Sequence, residues 1–244
     1  MPRLAALAVL GLILTAASAS AESPDGRRAG FCNPWYPFPS GARWEYEETS
    51  GGGRARAVRS VTVTRVEKTA DGERALLRQT VREATKRSQA QAAGLTEAAC
   101  RDGAITLTTR GAAEGQAGAA ERRGRVTAEV PVLPAPAKLA SGNTWKSESR
   151  IEADEGGQSI VIEGLRESRV VATGPVEVPA GTFSHAIEIR TFQTLRRAGH
   201  PPAQQMIREW FVRGVGLVKR EIRVKGGMPD TATVESLRHF SLGD

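Results

Sequence analysis

The chain has 244 residues, of which 40% are hydrophobic and 25% charged, and its formal net charge is +7. This length suffices for one large domain or two small ones with a substantial core, and no stretch beyond the N-terminus approaches the roughly 20 apolar residues of a transmembrane helix. The positive charge would suit an anionic partner, but no Lys/Arg run is longer than two, and we expect no nucleic-acid binding.

The first residues are organised as a secretory signal peptide. Arg3 precedes the apolar run "LAALAVLGLILTAA" and the A-x-A motif at residues 19–21. We predict that residues 1–21 are a signal peptide cleaved near Ala21, that the mature chain has no transmembrane segment, and that it is periplasmic or secreted. The polar residues 22–30 are predicted to be disordered.

Residues 31–48, "FCNPWYPFPSGARWEYEE", combine prolines with aromatic residues. The proline spacing forbids a helix and predicts an extended segment that is packed by its rings. Cys32 and Cys100 are the only cysteines in the chain. Because an oxidising compartment favours pairing, we predict a Cys32–Cys100 disulfide, against the alternative of two separate buried thiols.

Beyond residue 48 the chain is predicted to form short strands separated by Gly and Pro. The clearest predicted strands are 57–66, 104–110, 125–133, 158–164, 167–174, 176–183, 185–194, 205–213, 217–224 and 230–242. Residues 73–83 fit either a strand or a helix, and residues 84–100 fit a short helix or a loop. Since no βαβ rhythm is present, residues 31–244 are predicted to be a single, mainly antiparallel all-β domain with at most one or two short helices.

A candidate internal repeat divides this domain. Ser-Gly-x-x-Trp occurs at residues 40–44 and again at residues 141–145. A duplication would give similar halves at 31–133 and 134–244. In either arrangement we expect a curved sheet or half-barrel.

Gly214-Val215-Gly216 could be a phosphate-binding loop or a corner between two strands. The third glycine of a dinucleotide fingerprint is missing, and the strand-like "LVKREIRV" follows where a helix N-terminus would be needed. We therefore predict a hairpin, in which the glycines permit positive φ.

The sequence contains no arrangement typical of an active site. The histidines, His185, His200 and His239, have no metal-ligand spacing, and Ser184 and His185 are strand neighbours that point to opposite faces. We expect no catalytic residue, metal or cofactor. A hydrolase built around Ser184, His185 or His239 remains an alternative.

The aromatic residues allow two interpretations. They could fill the core at one end of a sheet, or they could line the mouth and interior of an apolar cavity suited to acyl chains or apolar peptides. The candidate ligand-lining residues are Trp35, Tyr36, Phe38, Trp44, Trp145, Phe183, Phe192 and Trp210.

"VPAGTF" at residues 178–183 and "WFVRGVGLVK" at residues 210–219 are similar to motifs of poorly characterised bacterial periplasmic β-rich proteins. That group resembles the outer-membrane lipoprotein-carrier fold, a curved antiparallel sheet around an apolar cavity. The resemblance implies a fold and a compartment. From all these features together we expect an exported, non-enzymatic protein that binds an apolar or amphipathic ligand, or an envelope partner, through the concave face of a curved sheet. The alternative is a structural or assembly protein of the envelope with a filled core.

Overall fold

The computed structural model describes residues 31–50, 55–83, 91–112, 125–155, 158–225 and 231–243, so the predicted signal peptide and the predicted disordered segment lie outside it. Within these ranges twelve antiparallel strands form one closed barrel, in which each strand pairs with its chain neighbours and β1 pairs with β12. The strands are β1 (Arg43–Ser50), β2 (Ala55–Thr69), β3 (Gly72–Glu83), β4 (Gln91–Arg101), β5 (Ala104–Ala112), β6 (Arg125–Leu133), β7 (Thr144–Glu155), β8 (Gln158–Val178), β9 (Gly181–Arg197), β10 (Ala203–Val212), β11 (Gly216–Lys225) and β12 (Thr231–Ser241).

The predicted all-β, antiparallel fold class is confirmed, and the sheet curves far enough to close. In the described part of the chain the helical structure is a 3₁₀ turn at Pro136–Lys138, and no helix there has the length and hydrophobicity needed to cross a membrane. Residues 73–83 lie in β3 and residues 91–100 in β4, so the helix and loop alternatives for these residues were wrong. Pairing with neighbouring strands has overridden the helix propensity of their Ala, Leu and Gln residues.

The predicted strands 158–164 and 167–174 are parts of one long strand, β8. Gly164 does not break it: a Cβ at this position would collide with Ser149 Oγ, so glycine permits close approach inside the barrel. Pro175 lies where the β8–β9 register shifts between Gly174 and Val176, a bulge position at which a missing N–H is tolerated. The predicted strand 176–183 instead contains the turn that joins β8 to β9.

Burial on β8 alternates with the strand period. Gly164, Arg166, Ser168 and Val170 are buried, whereas the residues between them are exposed. Since successive side chains on a strand point to opposite faces, this buried set faces the barrel interior. An arginine in such a set is unusual, because charged side chains are seldom buried unless they are paired.

The two Ser-Gly-x-x-Trp motifs form turns with the same backbone hydrogen bonds. The glycines have φ of +78° at Gly41 and +88° at Gly142. In the first motif, the N–H of Gly41 donates to the carbonyl oxygen of Val63 (3.0 Å), and the N–H of Val63 donates to that of Ala42 (2.8 Å). In the second motif, Gly142 donates to Val170 (2.8 Å) and Val170 donates to Asn143 (3.0 Å) in the same way. The duplication itself stays a prediction, but each motif holds a strand start against its partner in the same way.

Gly72 begins β3 with φ of +148°, and a Cβ there would collide with the carbonyl oxygen of Cys100. Gly181, at the start of β9, has φ of +127°, but a Cβ there would meet no other atom within 4 Å. Replacing either glycine with alanine should lower the free energy of unfolding by about 1–3 kcal/mol through backbone strain. For G72A the collision should lower it by roughly 1–3 kcal/mol more, as measured by urea unfolding. Equal losses in the two variants would contradict this prediction.

Candidate functional site

Residues 31–42, hereafter the N-terminal plug, cover one end of the barrel. The Asn33 side chain is buried; its Nδ2 donates to the carbonyl oxygens of Gly103 (2.7 Å) and Pro134 (3.3 Å). The backbone N–H of Gly214 donates to the carbonyl oxygen of Pro34 at 2.7 Å. The plug is therefore bonded to turns from several strand pairs around the barrel end.

A disulfide between Cys32 and Cys100 fastens the plug to the end of β4, with a Cα–Cα distance of 6.2 Å. This confirms the predicted pairing. Cys100 is fully buried, so the bridge lies within the core.

Trp44 and Tyr46 extend the plug's aromatic packing into the barrel from β1. The Trp44 indole Nε1–H donates to the carbonyl oxygen of Val215 (2.7 Å), and the Tyr46 hydroxyl donates to that of Leu217 (3.0 Å). Because β12 lies between β1 and β11, both rings reach across its inner face. Burial raises the pKa of Tyr46 above its ordinary value, so its hydroxyl keeps the proton that it donates.

Behind the plug, the barrel contains a cavity of about 410 Å³. Such a volume falls within the roughly 300–1,000 Å³ of sites that hold small molecules. The apolar part of its wall is formed by Pro37, Phe38, Trp44, Val61, Leu77, Leu107, Val130, Val132, Ile207, Leu217 and Ile222.

Charged residues form another part of the wall of the same cavity. Arg59 binds Glu235 through Nε–Oε1 (2.8 Å) and Nη2–Oε2 (3.2 Å). Arg220 joins this pair to a second carboxylate, because its Nη1 lies 3.1 Å from Glu235 Oε2 and its Nε donates to Glu209 Oε1 at 2.9 Å. Charged residues from β2, β10, β11 and β12 thus form one connected network.

Two members of this network, Glu235 and Arg220, keep their charges at neutral pH. Burial acts to raise the pKa of Glu235, but the guanidinium groups of Arg59 and Arg220 outweigh it and hold the pKa below its ordinary value. Burial likewise acts to lower the pKa of Arg220, while Glu209 and Glu235 raise it overall. Glu235 therefore stays ionised and Arg220 stays protonated.

A fifth charge, Arg166, also lines the cavity from β8. Its side chain is buried, with only 7% of the residue exposed, and among the described residues its Nε has no hydrogen-bond partner. Burial lowers its pKa from the ordinary value of arginine, with Glu209 acting in the opposite direction. An arginine nevertheless remains protonated at neutral pH.

Of the eight aromatic residues predicted to line a cavity, the structure brings three together around it: Tyr36, Phe38 and Trp44. Trp35 and Trp145 are partly buried and pack against the core, but neither lines the cavity.

The other three predicted aromatic residues lie away from the cavity. Phe183 packs against Phe240, with ring centroids 6.3 Å apart. Phe192 is 57% exposed. Trp210 follows the cavity-lining Glu209 and so faces the other side of β10, where the charged groups of Arg208 and Lys219 lie 4.7 and 4.9 Å from its ring centroid.

The predicted hairpin at Gly214-Val215-Gly216 is confirmed. β10 ends at Val212, β11 begins at Gly216, and the two strands are antiparallel neighbours. Both glycines have positive φ, of +78° and +100°.

The residues considered for hydrolysis are not part of the cavity wall. Ser184 and His185 are adjacent and both exposed on β9, and His200 and His239 are exposed as well.

The interior charges were not among the predicted site residues. One signal for them was present: in "GLRESRV", residues 164–170, Arg166 occupies the same strand phase as Gly164, Ser168 and Val170. Assigning that phase to the interior would have identified a buried arginine.

Comparison with known proteins shows where this fold has been seen. Solved structures with a similar fold include a candidate lipoprotein from Parabacteroides distasonis ATCC 8503, which is 16% identical with a TM-score of 0.60 and covers 87% of this chain and 100% of its own. Another is a candidate exported protein with a YmcC-like fold from Bacteroides fragilis NCTC 9343, at 14% identity and a TM-score of 0.55, covering 84% of this chain and 98% of its own. No curated protein matches the chain.

A family model described as DUF3108-like matches residues 39–229. The matched region begins within the N-terminal plug and contains strands β1 to β11. The chain therefore belongs to the DUF3108-like family.

Proposed function

We propose that this protein is a non-enzymatic binding protein of the bacterial envelope that holds an amphipathic ligand inside its barrel. The observation that carries the proposal is the cavity of about 410 Å³, whose wall combines aliphatic and aromatic side chains with a cluster of ionised groups. A ligand with an apolar chain and a polar head would match both parts of that wall.

The envelope location rests on the organisation of residues 1–21 as a signal peptide. The similar structures named above are a candidate lipoprotein and a candidate exported protein, which fits such a location. The resemblance to lipoprotein carriers supports an apolar ligand by analogy of fold.

The proposal assigns no catalytic role. Both glutamates of the cavity wall, Glu209 and Glu235, form salt bridges with arginines, so neither is available as a base. The exposed Ser184 and His185 lie outside the cavity wall and would not meet a ligand bound there.

The test is uptake of a neutral fluorescent probe, N-phenyl-1-naphthylamine, by the protein. The wild-type protein should bind about one probe per chain with enhanced fluorescence. L107W, which places a larger ring in the cavity wall, should weaken binding by about tenfold or more. T108W is the matched control, since the neighbouring side chain on β5 points to the opposite face and should leave binding unchanged.

Melting curves of both variants would establish that they are folded. Absence of probe uptake by the wild-type protein, or equal binding by the two variants, would overturn the proposal and favour a structural role for a barrel with a filled core.

A further inference from the structure

The charges that line the cavity do not balance. Among the described residues of its wall, three arginines, Arg59, Arg166 and Arg220, face two glutamates, Glu209 and Glu235. The salt bridges described above use both glutamates and leave one positive charge in excess. A buried excess charge is unfavourable unless a partner compensates for it.

The excess charge is localised at Arg166. Glu209, the carboxylate that acts on it through space, is bonded to Arg220 by contacts of 2.8 and 2.9 Å. The Arg166 Nε has no partner among the described residues, although the side chain is more than nine-tenths buried and lines the cavity. Arginine's planar group of five donors is suited to bidentate binding of a carboxylate or phosphate.

An internal comparison shows what such an arginine looks like when it is paired. Arg59 and Arg166 each lie four residues before the valine, Val63 or Val170, that bonds to the Ser-Gly-x-x-Trp turn. They occupy corresponding places on β2 and β8, and both line the cavity. Arg59 has a carboxylate, Glu235, at 2.8 Å, whereas Arg166, at the corresponding position, has an Nε with no hydrogen-bond partner in the described part of the chain.

We propose that Arg166 binds the anionic head of the ligand, a singly charged carboxylate or phosphodiester attached to an aliphatic chain. One negative charge at this point completes the charge balance of the cavity. The chain would then lie against the aliphatic wall at Leu77, Leu107 and Val130. This inference rests on the proposed function and specifies the chemical class of its ligand.

The test compares amphiphiles that differ in head charge, by displacement of the neutral naphthylamine probe at pH 8. For wild type, palmitoleic acid should bind at least about tenfold more tightly than its methyl ester. R166Q should reduce this ratio to near one while leaving the affinity for the ester within about threefold. R166K, which keeps the charge, should restore part of the preference.

R190Q is the matched control. The Arg190 Nε likewise has no hydrogen-bond partner within the described ranges. Its side chain, however, is 42% exposed and does not line the cavity, so the acid-to-ester ratio should stay at its wild-type value. Lysophosphatidylglycerol, compared with lysophosphatidylcholine, tests the phosphodiester head. Whichever anionic amphiphile binds more tightly identifies the source of the charge.

The outcomes separate the two proposals. Wild-type protein that binds the probe but shows an acid-to-ester ratio near one would overturn the role of Arg166 and leave the proposed function standing. Loss of both acid and ester binding in R166Q, or an unchanged ratio, would also overturn it. No binding of the probe or of either amphiphile by wild type would overturn the proposed function itself.

Discussion

Replacing Glu235 with glutamine should lower the free energy of unfolding by about 3–5 kcal/mol. The carboxylate is buried and accepts hydrogen bonds from Arg59 and Arg220. Its removal leaves Arg59 without this partner in a cavity that already contains Arg166, whose Nε has no partner among the residues that the structure describes. The loss would be measured by urea unfolding at pH 7.

The same substitution should have a characteristic pH dependence. The pKa of Glu235 is lower in the folded protein than its ordinary value of about 4.5, so its charge stabilises the fold above that pH. As the pH falls through the lowered pKa, the carboxylate takes up a proton and the stabilisation is lost. The difference in unfolding free energy between wild type and E235Q should therefore be constant above about pH 5 and shrink progressively below pH 4.5.

E167Q provides the control for this experiment. Glu167 pairs with Lys146 at 2.6 Å, but its side chain is 53% exposed, and such surface pairs contribute about 0–1 kcal/mol. A loss in E235Q no larger than that in E167Q would show that the interior network does not stabilise the barrel.

Reduction of the Cys32–Cys100 bridge should destabilise the protein by about 4 kcal/mol on the chain-entropy model, given a sequence separation of 68 residues. The bridge also fixes the N-terminal plug, so reduction should loosen the end of the cavity and change the fluorescence of Trp35, which packs against the core from the plug. Urea unfolding with and without reductant would measure the change.

C32A/C100A should reproduce the effect of the reductant and be insensitive to it. Thiol counting must confirm two free thiols per reduced wild-type chain, because the bridge lies in the core. An unchanged unfolding midpoint with both thiols free would refute the stabilising role of the bridge.

Much of the fold could be predicted from local patterns. The hairpin at Gly214 and Gly216 follows from the conformations that glycine allows in a turn, and the strands follow from the alternation of apolar and polar residues. The disulfide follows from the presence of two cysteines in a chain with a predicted signal peptide. Each of these signals involves a short stretch or a single pair of residues. β8 shows where this approach fails. Gly164 and Pro175 look like strand ends, yet the first permits contact with Ser149 and the second occupies a bulge, and both roles depend on neighbouring strands.

The site was harder to predict because its charged residues meet only through the sheet. Arg59 and Glu235 are 176 positions apart in the chain, so no local pattern brings them together. Aromatic character alone did not identify the cavity-lining residues. Phe192 and Trp210 are aromatic like Phe38, but on their strands they point to the face opposite the cavity.

Closure of the barrel has a consequence for the order of folding. Among the described strands, the contact between β1 and β12 is the one sheet pairing that joins the two ends of the chain; the others join successive strands. Hairpins between successive strands can form early. Pairing of β1 with β12 comes at a larger entropic cost, because it closes a loop that contains all the strands between them. Until they meet, both are open edges that could pair with another molecule. The Arg59–Glu235 contact connects β2 to β12, so the complete charge network exists only after the last strand has been incorporated.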